Sequence, residues 1–258
     1  MIYIKTFFLK IFGWKATIMS GDPSTLDRWK WIRRHLQKGS LRTLDAGCGS
    51  GSFTMYAAKI GNIAIGISHD VKNNTKARNR AKMFGITNIQ FLLIDLRDLH
   101  LSTEQLGKFD QIICMEVAEH IINDKKLIHD LSFLLKPGGQ LLLTVPNLNN
   151  KHIKNGELSK TEDGGHVRWG YTFEEIQNIL NSYALDIITE EHLSGFITQK
   201  LIRLLELLGG IESIKARFLV LPFRVFQIFD FPITKLLKYP SLSLGIIAIK
   251  RSVNFYEN

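Results

Sequence analysis

Cysteine is scarce in this chain: Cys48 and Cys114 are the only two in 258 residues. Two thiols cannot staple a disulfide scaffold, and they fit a reducing, cytoplasmic setting. No uncharged apolar run reaches the roughly 18 residues that a membrane-spanning helix needs. Carboxylates are outnumbered, 24 Asp and Glu against 33 Lys and Arg, for a formal charge of +9. That balance favours anionic partners (membrane lipid, phosphate compounds or nucleic acid) without choosing among them. Internal repeats and low-complexity linkers are also missing. The start, Met1 to Trp14, is apolar and aromatic with Lys5 and Lys10 interspersed. It lacks the small-residue cleavage site of a signal peptide, so secretion is not expected, and Met19 stands as an alternative start. What is present is ordinary for a folded domain, with 45% hydrophobic and 22% charged residues.

Short β-rich runs alternate with helical patterns. Leu41 to Asp45, Ile63 to Ile67, Ile89 to Leu93, Ile112 to Met115 and Leu141 to Val145 read as strands. Ser52 to Ile60, Val71 to Met83 and Lys125 to Leu135 carry helix formers at helical spacing. This alternation predicts a parallel sheet covered on both faces. Lys136-Pro137-Gly138-Gly139 should stop a helix before the fifth strand. Thr172-Phe173-Glu174-Glu175 reads as a capping box opening a helix to about Tyr183. Leu185 to Glu191 and Leu244 to Lys250 read as a sixth and a seventh strand. The expected organisation is an N-terminal helical segment over 1–39, a core over 40–195, a helical insertion over 196–243, and a last strand with tail over 244–258.

The first strand runs into Asp45-Ala46-Gly47-Cys48-Gly49-Ser50-Gly51. Glycines let a chain turn sharply off a strand and bring its backbone close to a ligand. The next helix aims its free N–H groups at the same place. A dinucleotide fingerprint needs a glycine where Ser52 stands, and a phosphate loop needs a Gly-Lys-Ser/Thr ending. Asp45 would repel a pyrophosphate but suits a ligand that carries an amino group.

Leu-Asp-Ala-Gly-Cys-Gly-Ser-Gly-Ser-Phe resembles motif I of the class I S-adenosylmethionine-dependent methyltransferases. Asp95, in Phe-Leu-Leu-Ile-Asp-Leu, matches the acid that binds the adenine amino group in that family. Phe109 to Glu116 resembles the fourth-strand motif lining the cofactor, and Leu134 to Gly139 the motif before the fifth strand. The resemblance covers about residues 40–192. It implies a Rossmann-like α/β fold, a seven-stranded sheet with helices on both faces and the helical insertion between strands six and seven. It also implies S-adenosylmethionine as cofactor, held by Asp45, Gly47, Cys48, Gly49, Gly51, Asp95, Leu96, Met115 and Glu116. One place departs from the pattern. The family usually sets an acid at the end of strand two to hold the ribose, and here the segment reads Gly66-Ile67-Ser68-His69-Asp70. Cyclopropane fatty acid synthases are similar there, which would give Ser68 and Asn73 the ribose role, with His69 beside them. Alternatively Asp70 reaches the ribose or caps the next helix.

Glu116-Val117-Ala118-Glu119-His120 follows strand four. If helical, it puts Glu116, Glu119 and His120 on one face. With His166, this arrangement resembles two metal-dependent O-methyltransferase groups, one acting on ubiquinone precursors and the other on the 2′-hydroxyl of small RNAs. That likeness implies Mg²⁺ or another divalent ion on Glu116, Glu119, His120 and His166, acidifying an acceptor hydroxyl. The same residues allow His120 to act as a plain general base beside Glu119 and His166, or to serve packing alone. The basic run Lys76, Arg78, Arg80 and Lys82 reads as a solvated face. Trp29 and Trp31 read as core or lid packing.

The expected function is O-methylation of a small apolar or lipid-like acceptor. The alternatives are C-methylation or cyclopropanation of a lipid, RNA 2′-O-methylation, and a non-catalytic S-adenosylmethionine-binding protein. Residues 196–258 hold seven phenylalanines and nine Lys or Arg against four Asp or Glu. Pro222, Pro232 and Pro240 break that region into short pieces. It is expected either to fold over the sheet edge as a lid or to make peripheral membrane contact. Nucleic acid is not an expected partner.

Overall fold

The computed structural model describes residues 13–19, 21–150 and 157–252. The aromatic start up to position 12 and the tail from position 253 lie outside the described residues. Two units divide the chain. One takes in residues 35–191 and 244–258, the other residues 1–34 and 192–243. The first and third of the four expected segments thus group in one unit.

The larger unit holds the sheet. Along the chain run β1 (Arg42–Ala46), α1 (Ser52–Lys59), β2 (Ile63–Ser68), α2 (Val71–Met83), β3 (Ile89–Leu93), a 3₁₀ stretch (Leu96–Ser102), β4 (Phe109–Met115), α3 (Asp124–Leu134), β5 (Leu135–Pro146), α4 (Phe173–Ser182), β6 (Leu185–Leu193) and β7 (Ser243–Lys250). The sheet order is β3-β2-β1-β4-β5-β7-β6. β1 pairs in parallel with both β2 and β4, so Ala46 lies beside Ile67 on one side and Cys114 on the other. Successive strands step outward from β1 in one direction as far as β3, then resume on its other side with β4. A crevice opens outside the carboxyl ends of strands where the order reverses in this way. Here that place lies between β1 and β4.

β-branched and leucine side chains make these strands continuous apolar runs, as a sheet buried on both faces requires. Leu44, Ile67, Ile112, Leu141, Leu143 and Ile246 are fully enclosed in one core. A short polar relay crosses it: the Gln140 amide donates to Gln111 Oε1 at 2.9 Å, and the Gln111 amide to Thr43 Oγ1 at 2.9 Å. These bonds satisfy groups that would be costly to bury alone. Lys136-Pro137-Gly138-Gly139 does end α3, but it does so by opening β5 as extended chain, with a register shift against β4 between Phe109 and Gln111. The capping box of α4 is in place, Thr172 and Glu175 each bonding the other's backbone N–H.

The basic run on α2 is only partly the solvated face expected. Lys76 and Lys82 are exposed. Arg80, however, donates to the carbonyl of Ser50 at 3.2 Å and its hydroxyl at 2.6 Å, which ties α2 to the glycine loop. Arg78 donates to the carbonyl of Phe91 at 2.7 Å. Burial pulls the Arg80 pKa down to about 10, so it stays a cation at neutral pH.

The smaller unit has its own apolar cluster of Leu201, Leu205, Ala216 and Val220. Among the described residues, no helix is long and apolar enough to cross a membrane.

Gly66 illustrates how tightly the β2–β3 side is packed. A Cβ there would lie 2.8 Å from the Phe91 ring and 2.9 Å from Thr54 Oγ1. Gly66→Ala should therefore destabilise the protein by about 1–3 kcal/mol through overpacking. Phe91→Leu added to it should recover part of the loss in urea unfolding.

Candidate active site

β1, β2, β3 and β4 are parallel neighbours, so their carboxyl ends share one edge of the sheet. Every residue expected to bind the cofactor follows one of those ends. Asp45 stands at the end of β1 with Gly47, Cys48, Gly49 and Gly51 in the loop after it. Ser68 and His69 close β2, with Asn73 in the first turn of α2. Asp95 and Leu96 follow β3, and Met115 and Glu116 close β4.

The glycine loop is pinned from below. The N–H groups of Gly47 and Cys48 both donate to the carbonyl of Ile67, at 3.0 and 2.9 Å. Gly47, Gly49 and Gly51 all have left-handed φ, at 79°, 50° and 82°. At Gly47 a Cβ would sit 2.5 Å from Val117 Cγ2, and at Gly51 2.7 Å from the Phe91 ring. At Gly49 the same construction meets nothing within 4 Å. Two of the glycines thus permit close packing, and the third faces open space beside the helix N-terminus, where a ligand's atoms can approach backbone N–H groups.

Asp45 is enclosed, 2% exposed, and accepts a 2.6 Å hydrogen bond from Thr54 Oγ1 on α1. Burial pushes its pKa up to about 6, against the lowering effect of Thr54. A carboxylate kept there at neutral pH is poised to gain from a cation. The Cys48 and Cys114 thiols are both free and buried, and burial raises their pKa values, so neither is a nucleophile.

At β2 the structure resolves the ambiguity around Asp70. Its carboxylate caps α2, accepting from the N–H of Lys72 at 2.7 Å and of Asn73 at 3.1 Å. The Asn73 amide also donates to Asp70, at 3.0 Å. The buried hydroxyl of Ser68 accepts from the Asp70 N–H at 3.2 Å. Asp95 likewise caps the 3₁₀ stretch that follows it and forms an ion pair with Arg97, which holds its carboxyl below the usual range. Arg97 reaches Glu162 at 3.6 Å as well. The carboxylate matched to adenine recognition therefore already has a cationic partner, two residues along the chain.

The expectation for Glu116 needs correcting. It does not share a helical face with Glu119 and His120, because the chain leaves β4 at Glu116 with φ 51° and Val117 is also non-helical. Helical geometry begins only at Ala118, as a single 3₁₀ turn (Ala118–His120). Among the described residues, the group able to hold a metal is Glu119, His120 and His166, with ligand atoms within 4.8 Å of one another; Glu116 lies outside it.

A later loop delivers His166. Val167 N–H donates to the Glu119 carbonyl at 2.9 Å, and Ile122 N–H to the Glu162 carboxylate at 2.6 Å. The His120 and His166 rings meet edge to face with centroids 4.7 Å apart. His120 Nδ1 lies 3.1 Å from the carbonyl of Gly165, which accepts only if Nδ1 carries the proton. Nε2 is then the basic nitrogen, 3.8 Å from Glu119 Oε1. Burial, and the positive charge of His120 when protonated, lower the His166 pKa and keep its ring neutral, as a ligand must be. Two imidazoles and a carboxylate form a donor set suited to a divalent transition metal and tolerable to Mg²⁺. The residues present fit such an ion.

Thr54, Arg80, Val117, Arg97 and Glu162 complete this site without being legible in the sequence. Each acts through a contact between elements or a partner distant in sequence; Val117 and Arg80 lie within runs read from the sequence, but those runs did not signal these contacts.

The fold is a Rossmann-like α/β sheet with a glycine loop and an acid–histidine cluster beyond the strands of its switch point. The chain belongs to the methyltransferase domain family, which matches residues 37–191, more than half of it. It is 32% identical over 124 residues to a ubiquinone biosynthesis O-methyltransferase of Coxiella burnetii (strain Dugway 5J108-111), covering 48% of this chain and 51% of that protein. The match thus spans about half the length of that relative. Among solved structures, the N-methyltransferase NodS from Bradyrhizobium japonicum WM9, in complex with S-adenosyl-L-homocysteine, is 18% identical with a TM-score of 0.58, covering 90% of this chain and 89% of its own. The [4+2]-cyclase SpnF is 19% identical with a TM-score of 0.60, covering 88% and 81%. At such identities these two speak for the fold alone.

Asp45 makes stability depend on pH in a defined sense. Its folded pKa, about 6, lies above the ordinary value for an aspartate, so the folded protein holds the proton more tightly. Its contribution is full below about pH 4 and is lost as pH rises through 6, a change on the order of 2–3 kcal/mol. Asp45→Asn should therefore raise the urea midpoint of the ligand-free protein at pH 7.5 and raise it by only about a third as much at pH 4.5. Equal shifts at both pH values would contradict the buried-charge account.

Proposed function

We propose that this chain is an S-adenosylmethionine-dependent methyltransferase that methylates a hydroxyl oxygen of a small apolar or lipid-like acceptor. The observation that carries the reading is a juxtaposition along one sheet edge. A buried carboxylate and an open glycine loop stand at the end of β1, and Glu119 and His120, joined by His166 from the loop after β5, follow the adjacent strand β4. The first pair suits an ammonium-bearing cofactor, the second a hydroxyl that must lose its proton. The two free buried thiols and the absence of a spanning helix among the described residues are in keeping with a cytoplasmic setting, with contact at a membrane face.

Bound S-adenosylmethionine supplies an electrophilic methyl group on a sulfonium with a good leaving group. Asp45 would receive the ammonium of its methionine portion, and the bare backbone at Gly49 would let the ligand approach. Asp95, already paired with Arg97, would accept from the adenine amino group, and Ser68 and Asn73 would line the ribose. Leu96 and Met115 would give apolar walls, with Glu116 closing the β4 side. Transfer is an in-line displacement, so alignment contributes most of the acceleration. His120 Nε2 would take the proton that the acceptor hydroxyl loses on methylation. Glu119, His120 and His166 would alternatively hold a divalent ion, whose charge lowers the pKa of the acceptor hydroxyl.

Release of S-adenosylhomocysteine with hydroxylated apolar acceptors is the direct assay. Stripping the protein with a chelator should abolish turnover, and a divalent ion should restore it, if the three side chains are ligands. Full activity in the stripped protein would leave His120 as a plain base, and His120→Ala should then lower kcat by about 10²–10⁴. The cofactor reading has its own test in calorimetric titration. S-Adenosylmethionine affinity should weaken as pH falls below about 6, where Asp45 takes a proton, approaching about tenfold per pH unit. Asp45→Asn should bind weakly with no such dependence, and wild-type-like binding by this variant would refute the assignment.

A further inference from the structure

The smaller unit contains a segment turned inside out. After the helices Phe196–Leu207 and Ile214–Val220, residues Leu221–Phe229 form a 3₁₀ stretch that leads directly into the helix Asp230–Leu236. At three residues per turn, side chains three apart stack in rows. The buried row is polar: Arg224, Gln227 and Asp230 are 5%, 3% and 6% exposed. The other two rows are apolar and outward. Phe223, Phe226 and Phe229 make one, Val225, Ile228 and Phe231 the other, and all six are between 48% and 76% exposed. A surface helix in water shows the opposite pattern.

The inward polar row is fully used in holding the unit together. Arg224 donates to the carbonyl oxygens of Met19 and Gly21. Gln227 donates to Pro23 O at 3.1 Å and Thr198 Oγ1 at 2.9 Å. Asp230 accepts from the N–H groups of Gly195 and Ile197, at 2.9 and 2.7 Å, at the start of the first of these helices. The two apolar rows are thus left for an apolar phase. Phe218, Leu219, Leu236 and Leu237 extend the same exposed apolar surface. A lid core of the ordinary kind would have enclosed these side chains, and the structure leaves them outside. Patches of this extent mark interaction sites.

Charge selects the occupant. From Ser213 to Ser243 the sole acid is Asp230, and it is buried, whereas Lys215, Lys235 and Lys238 are exposed. A second copy of this chain meeting the face through a two-fold axis would set these cations against their own kind. An anionic bilayer meets them with headgroup phosphates and takes the phenylalanines into the acyl boundary. Pro222 and Pro232 keep the pieces short, and no described helix can span. The geometry points to this face lying in the plane of a membrane: we propose that the 3₁₀ stretch Leu221–Phe229 and its neighbours dock the protein on anionic phospholipid. The inference rests on the outer surface of the insertion and not on methyl transfer, so S-adenosylmethionine titration remains normal if it fails.

The test is co-sedimentation of the full chain at low salt with vesicles of phosphatidylglycerol and phosphatidylcholine, and with pure phosphatidylcholine. Binding should favour the anionic vesicles and fall about tenfold or more in the triple variant Phe223→Ser, Phe226→Ser, Phe229→Ser, with its melting temperature unchanged. Lys235→Glu with Lys238→Glu should weaken binding and its salt dependence together. A fluorophore on Phe226→Cys should be quenched by nitroxide placed high in the acyl chains. The native thiols are buried and would not compete for the label. No vesicle binding by the whole protein, or binding indifferent to the triple variant, overturns the proposal. So does a dimer in solution that the triple variant dissolves while vesicles are ignored, since a second copy would then be the occupant.

Discussion

Two chain segments leaving adjacent parallel strands must share one crevice, and the contact between Gly47 and Val117 is where they meet. A Cβ at position 47 would overlap the valine at 2.5 Å, so the loop after β1 can lie this close only because the side chain is absent. Much of the site hangs on that approach. Val117 is placed by a left-handed turn at Glu116, whose φ of 51° is unusual for a residue with a side chain. The turn shortens the way from β4 to the 3₁₀ turn that carries Glu119 and His120. That turn in turn offers the Glu119 carbonyl to Val167 and so draws the His166 loop in.

Electrostatics within the larger unit are arranged around a cost. Asp45 is buried, and the hydrogen bonds it draws from Thr54 do not offset the cost of ionising there, a cost that a bound cation relieves. A site that is destabilising when empty reflects the usual tension between stability and binding. The smaller unit distributes polarity in reverse. Its buried carboxylate and guanidinium are spent on backbone groups at helix ends, and its aromatic side chains face outward.

Membership of the methyltransferase domain family does not by itself dictate the acceptor, because folds host many reactions. A [4+2]-cyclase shares the architecture at a TM-score of 0.60. In this chain the Glu119–His120–His166 cluster is assembled from two segments that are far apart in sequence and joined by a backbone hydrogen bond.

Strand and helix periodicity, the glycine loop and the ends of β1 to β4 were legible in the sequence, because each is written in neighbouring residues: apolar alternation, caps, and glycines where φ must be positive. A seven-stranded Rossmann-like sheet followed from the family resemblance and holds in the structure, whereas the order of its strands is read from the fold alone. Helical spacing also suggested that Glu116 would join Glu119 and His120, but a left-handed turn intervened, and no local pattern announces a non-glycine residue in that conformation. Asp70 could equally have been a ribose ligand or a cap until the N–H groups of Lys72 and Asn73 were seen to converge on it. Arg80 looked like part of a solvated run until α2 packed beside the glycine loop and gave it the Ser50 carbonyl. The phenylalanines of the insertion read equally as lid or membrane face, since sequence records which residues are apolar and not which side they take. Only the tertiary structure decided that, by burying Arg224, Gln227 and Asp230 against backbone partners elsewhere in the unit and so turning the phenylalanines outward.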